Sequence, residues 1–214
     1  MKKRLLSVIA IALLASASTL NAQEKWTVSV KGTPLLSWMH NSDDKDLPGF
    51  DSKSKFAANF GLGVEYAFTK NIGIGLDALY SLQGRKFDYS GTEVNQKNNY
   101  IKVPLYVTYT TPLSQGVSFT GKLGPQLSIL TDSKIEAGNQ ETDTKDQFKD
   151  LTFGGMANAG FDFALSKNIF LNTGVRFDYD FTNAEDKGYA GYPAGRAKTY
   201  NSSLGLEVGL KYRF

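Results

Sequence analysis

Every second residue from Phe56 to Phe68 is apolar: Phe56, Ala58, Phe60, Leu62, Val64, Tyr66 and Phe68, with Ala57, Asn59, Gly61, Gly63, Glu65 and Ala67 between them. A period of two belongs to extended chain whose two faces are segregated. The run is far longer than an ordinary globular strand of about five or six residues. A strand of this kind either buries its apolar face in a soluble sandwich or turns it outward into lipid as part of a closed barrel. The rest of the chain has to decide between the two.

The alternation recurs seven more times. The apolar rows are Trp26, Val28, Val30, Leu36 and Trp38; Ile72, Ile74, Leu76, Ala78, Tyr80 and Leu82; and Ile101, Val103, Leu105, Val107 and Tyr109. They continue as Val117, Phe119, Leu123, Leu127 and Ile129; Leu151, Phe153, Ala157, Ala159, Phe161 and Phe163; and Ile169, Leu171, Val175, Phe177, Tyr179 and Phe181. The last row is Tyr200, Leu204, Leu206, Val208, Leu210, Tyr212 and Phe214. No segment beyond the N-terminus has a helical period.

The connections alternate in size. Residues 69–71, 111–116 and 166–167 are tight links, whereas 40–55, 84–98, 131–150 and 182–199 are long, polar and rich in charge and glycine. Short turns at one end and long loops at the other are the habit of bacterial outer-membrane barrels, and about ten tilted residues per strand cross the hydrocarbon. The expected fold is therefore all-β: an eight-stranded antiparallel up-and-down transmembrane barrel with an apolar outside.

Between the apolar positions lie Gly, Asn, Ser, Thr and charged residues. Eight strands leave a lumen just wide enough for side chains, and charges enclosed there must pair. Glu65, Asp77, Asp162 and Glu207 are expected to find partners among Lys102, Lys122 and Arg176. Aromatic residues gather at strand ends in two belts suited to the two membrane–water interfaces. Trp26, Tyr66, Phe68, Tyr109, Phe163, Tyr212 and Phe214 lie on the short-turn side; Trp38, Phe56, Tyr179, Phe181 and Tyr200 lie on the long-loop side.

The first 22 residues read as a cleaved signal peptide, with a basic head (Lys2, Lys3, Arg4), an apolar run from Leu5 to Leu14 and a small-residue end at Ala22. Residues 23–214 then form the barrel domain, exported to the outer membrane with both termini periplasmic. The three basic residues of the leader account for the whole net charge of +3. The mature chain is neutral, and nucleic acid is excluded as a partner. With no cysteine there is no disulfide, thiolate metal site or cysteine nucleophile.

Catalysis has one weak candidate. His40 is the only histidine, set in MHNSDDKD beside Ser42, Asp43 and Asp44. A histidine next to a hydroxyl and a carboxylate is the minimum for an activated nucleophile, so an outer-leaflet lipid hydrolase is the competing class. A solvated loop histidine is the reading preferred, and the protein is expected to be no enzyme. The acidic residues of the first and third long loops are interleaved with lysines and lack calcium-loop spacing, so no metal and no cofactor are expected. Tyr189, Tyr192 and Arg196 of the fourth loop are residue types favoured at protein interfaces, a candidate contact surface for a protein partner.

The closing LEVGLKYRF, an alternating strand ending in Tyr212 and Phe214, resembles the signal that outer-membrane barrels present to their insertion machinery. NYIKVPLYVTY, KLGPQLSIL and GMANAGFDFAL resemble the PorT-like family of outer-membrane β-barrel domain proteins. That resemblance covers essentially the mature chain. It implies insertion from the periplasm into outer-membrane lipid and, for some members, an accessory role in a protein secretion apparatus. The function expected is a small membrane scaffold that presents four extracellular loops.

Overall fold

The computed structural model describes residues 25–46, 48–89, 91–138 and 140–214. The expected leader, residues 1–22, lies outside the described residues. Ten strands follow in order: β1 (Trp26–His40), β2 (Phe50–Lys53), β3 (Lys55–Ala67), β4 (Ile72–Tyr89), β5 (Thr92–Thr110), β6 (Val117–Ala137), β7 (Gln140–Asp143), β8 (Leu151–Ala164), β9 (Ile169–Asp180) and β10 (Tyr200–Arg213).

Eight of them close a barrel in the order β1-β3-β4-β5-β6-β8-β9-β10, every pairing antiparallel. The seam between the last strand and the first keeps one register from Thr27↔Arg213 to His40↔Tyr200, interrupted only at Thr33 and Pro34. A sheet closed on itself has no edge to satisfy, which is what a spanning sheet requires in lipid.

The polarity is inside-out. Phe56, Leu62, Leu123 and Leu206 are more than half exposed on the outer surface, while Asn59, Asp77, Lys102, Arg176 and Glu207 are buried. The short links are genuine turns. Phe68 N–H donates to Ile72 O at 2.9 Å, and Leu165 N–H to Ile169 O at 2.9 Å. Gln115 (φ 50°) and Gly116 (φ 81°) form a two-residue turn whose positive φ values match the twist of the flanking strands.

Two of the four expected loops prove to be largely strand. Residues 84–98 continue β4 to Tyr89 and begin β5 at Thr92, and β6 runs on to Ala137 before β7 folds back on it. The order β2-β4-β5-β6-β7 makes a five-stranded blade that stands beyond the barrel at the long-loop end. GRKFDY keeps the two-residue period, but with polar residues on both faces, so hydropathy alone reads it as loop.

Members of the two aromatic sets pack together at opposite ends. Trp26 meets Tyr66 at 4.7 Å between ring centroids, and Tyr212 meets Phe214 at 4.9 Å. At the other end Tyr179 lies 5.9 Å from Phe181 and 6.0 Å from Tyr200.

Candidate functional site

The lumen is a solid of ion pairs. Arg176 on β9 is its hub: Nε donates to Asp178 Oδ1 at 3.0 Å, Nη1 to Glu207 Oε2 at 3.2 Å and Nη2 to Gln126 Oε1 at 3.0 Å. Its Nη1 also lies 3.8 Å from Asp77 Oδ2. Lys31 Nζ donates to both Asp77 carboxylate oxygens at 2.9 Å. Lys122 Nζ lies 2.9 Å from Glu65 Oε1 and 3.8 Å from Glu207 Oε1.

Of the expected acids, Asp162 differs. Its partner is Lys211 at 3.0 Å, supported by Thr120 and Asn172, while Lys102 goes to Asp178 at 3.3 Å. Lys31, Asp178 and Lys211 were legible as inward by parity, yet only the closed register shows that they belong to the network. Tyr106 is a further member. Its hydroxyl lies 2.9 Å from Asp77 Oδ1 and 3.1 Å from Glu65 Oε1. The ring occupies space that Gly75 leaves open, since a Cβ there would stand 2.4 Å from it. Most buried charges in the narrow lumen are tolerated because they have both an opposite charge and hydrogen bonds; among the described residues, Lys122 has its ion pair without a hydrogen bond, and Asp180 has hydrogen bonds from Thr152 and Asn201 without an ion pair.

At the short-turn end the lumen opens as a cavity of about 830 Å3, with Lys25, Lys70 and Arg213 at its mouth and Glu65 at its floor. At the long-loop end it is capped. Met39, Tyr100 and Leu130 of the barrel wall bury an apolar cluster with Phe148 and Ala184 from two long connections. Those connections are zipped together by Lys149 N–H to Ala184 O at 2.9 Å and Asp186 N–H to Gln147 O at 2.8 Å.

A clamp lies above the cap. Asp44 is buried and takes Arg85 Nη1 at 2.5 Å and Arg196 Nη2 at 2.9 Å. Arg196 also donates to Glu185 at 2.8 and 3.0 Å. The hydrogen bonds that it donates to Glu185 hold its guanidinium proton still more firmly than usual, with the Asp44 carboxylate adding to the effect. Asn41 donates to Thr199 Oγ1 at 2.8 Å, and Ala197 N–H donates to Asp43 Oδ2 at 2.7 Å. Arg196 is thus committed within the protein, whereas Tyr189 stands exposed. Tyr192 donates its hydroxyl to Arg196 O at 3.2 Å.

His40 Nε2 lies 2.7 Å from Ser202 Oγ on β10. The neighbours that the sequence offered, Asp43 and Asp44, are engaged by Ala197 and by the two arginines. Beside His40, the first long connection encloses a crevice of about 370 Å3. Its lining includes Trp38 and Phe50, the latter stacked on Phe87 at 5.0 Å and 26°. No motif in the sequence marked this crevice, because its sides come together only when β2 pairs with the upper part of β4, in line with β3.

Among solved structures, the outer membrane protein OprG from Pseudomonas aeruginosa is 17% identical, with 90% of this chain and 97% of that chain covered and a TM-score of 0.52. The outer membrane protein AlkL, determined in lipid bilayers, is 15% identical, with 92% and 93% covered and a TM-score of 0.51. At these identities the likeness is one of fold. No curated protein sequence matches the chain significantly. A family model described as the outer membrane protein beta-barrel domain matches residues 7–214. With a closed eight-stranded barrel, an apolar outer wall and an ion-paired lumen, the chain belongs to the outer membrane protein beta-barrel domain family.

Proposed function

We propose that the protein is a non-enzymatic scaffold of the outer membrane, exported by a cleaved leader, with both termini periplasmic and the long-loop end extracellular. What supports this reading above all is where the structure concentrates its order. Among the described residues, the lumen is occupied from Lys211 to Asp180 by side chains most of which are paired or hydrogen-bonded, and it is capped by Phe148, which argues against a conducting pore. The chain instead builds a blade and a clamped loop layer at one end. A scaffold of this shape works through that end.

Three measurements test the reading. Reconstituted in planar bilayers, the protein gives no discrete conductance steps; regular steps would make it a pore. A protease added to intact cells cuts in the blade or the 181–199 connection and spares the termini; the reverse pattern would invert the proposed orientation. Replacing His40 with Ala leaves outer-leaflet lipid acylation unchanged, and altered acylation would restore the hydrolase. The PorT-like resemblance bears on partners: co-purification of secretion components after mild detergent extraction would assign the accessory role.

A further inference from the structure

The short-turn end of the lumen gathers cations with nothing to neutralise them. Lys25, Lys70 and Arg213 stand at the mouth of the cavity of about 830 Å3. Among the described residues, none of these three side chains has an ion-pair partner. The links 68–71, 111–116 and 165–168 at this end hold Lys70 and Lys167 but no Asp or Glu. Like charges crowded without a counter-charge repel one another, so their convergence on one opening calls for an anion from outside the chain.

Strand pairing puts these groups on the lumen side. Arg213 lies opposite Thr27, and Thr27 opposite Glu65, both of them buried. Lys25 is two residues before Thr27 and shares its face; its carbonyl accepts from Ala67 N–H at 2.8 Å. The Arg213 guanidinium lies 4.5 Å from the centroid of the buried Phe170 ring. That contact steadies it over the mouth while its N–H donors have no hydrogen-bond partner among the described residues. Lys70 is carried by the 69–71 link.

Deeper in, the cavity offers hydroxyls. Thr27 and Ser118 line it, and neither hydroxyl is hydrogen-bonded among the described residues. Thr108 lines it too, 6% exposed, and its Oγ1 is buried without a partner, which is costly unless something bound there supplies one. Glu65 does not cancel the mouth cations, because it is committed to Lys122 at 2.9 Å and Lys211 at 3.8 Å. The terminal carboxylate of Phe214 is in no ion pair among the described residues.

The ligand class follows from these donors. The volume falls in the range of small-ligand sites, about 300–1,000 Å3. An apolar ligand would strip water from three cations without replacing it. A carboxylate has fewer acceptor oxygens than a phosphate to share among three cations and their neighbouring hydroxyls. The guanidinium fork matches phosphate oxygens in pairs, and a lysine ammonium serves it as a point charge.

We propose that the short-turn mouth binds a phosphate ester, its oxygens on Arg213, Lys25 and Lys70 and its polar remainder among the Thr27 and Ser118 hydroxyls. The aromatic belt of Trp26 and Tyr66 at this end sets the mouth at headgroup level. The ester therefore comes either from a phospholipid headgroup or from a soluble phosphate compound. That the mouth opens to the periplasm rests on the proposed orientation; the site itself does not.

The test uses the mature chain refolded in maltoside micelles, which carry no phosphate. In one arm sn-glycerol 3-phosphate is titrated by calorimetry; in the other, phosphatidylglycerol is added and retained lipid is counted by native mass spectrometry. Saturable binding is expected in at least one arm. R213Q is expected to weaken it about tenfold, the loss of one charge-assisted hydrogen bond, and the double variant K25Q/K70Q by a comparable factor. K167Q, at the same end but outside the cavity lining, is expected to leave it unchanged. Unboiled gel mobility confirms that each variant is folded, and K25Q/K70Q alters no strand residue. Binding of glycerol phosphate assigns the soluble ester, and binding of phosphatidylglycerol alone assigns the headgroup; either supports the site. No binding in both arms, binding that R213Q and K25Q/K70Q leave untouched, or an equal loss in K167Q overturns it. If binding persists but protease added to intact cells cuts the 111–116 link, the site stands and the proposed orientation falls.

Discussion

At Arg176 three carboxylates and one amide converge on a single guanidinium: Asp77, Asp178, Glu207 and Gln126. Replacing it with Met leaves those carboxylates buried and short of positive charge. Breaking a buried pair from one side costs about 3–5 kcal/mol, and that is the loss expected for R176M in urea unfolding from lipid vesicles. Adding D178N to R176M is expected to recover part of the loss, because one of the stranded charges is then removed; a double variant no better than the single would show that Asp178 does not depend on Arg176. Alternation predicts that Arg176, Asp178 and Glu207 point inward. It does not predict their level along the barrel, and level decides who meets whom. Asp162 therefore goes to Lys211, from the far end of the chain, and not to one of the three expected cations.

Among the elements, the blade has its own weak points. Gly84 adopts φ +138°, and a Cβ there would lie 1.9 Å from Gln96 O. G84A is thus expected to force β4 and β5 apart above the barrel: limited proteolysis would cut between 85 and 96 while unboiled gel mobility stays that of a closed barrel. The blade's outer face is laced by exposed pairs such as Lys86–Glu93 and Lys134–Glu141, at 3.0 and 2.6 Å. Glu136 accepts from Lys97, and that hydrogen bond holds its carboxyl below the usual carboxylate range. A folded-state value below the unfolded one contributes stability that is present above the unfolded pKa of about 4.3 and is lost as pH falls through the folded value. Amide exchange in residues 132–137 is expected to quicken below about pH 4, ahead of the barrel wall, and by a small factor because the pair is exposed and screened. Equal acceleration in both regions would show that the pair does not set the blade's acid stability.

For the whole molecule, closure is the dominant fact. Antiparallel pairing from β1 round to β10 joins all eight strands of the wall, so the barrel is expected to survive detergent and to migrate differently before and after boiling; identical mobility would exclude a closed cylinder. The amino-acid sequence by itself determined the strands, their inward and outward faces and the two aromatic ends, because each follows from parity and hydropathy within a dozen residues. The tertiary structure alone decided the ion pairs across the lumen, the cap of Phe148 and Ala184, the blade, and the meeting of His40 with Ser202. Each of these depends on the register between strands distant in sequence, a property of the closed sheet that no local period contains.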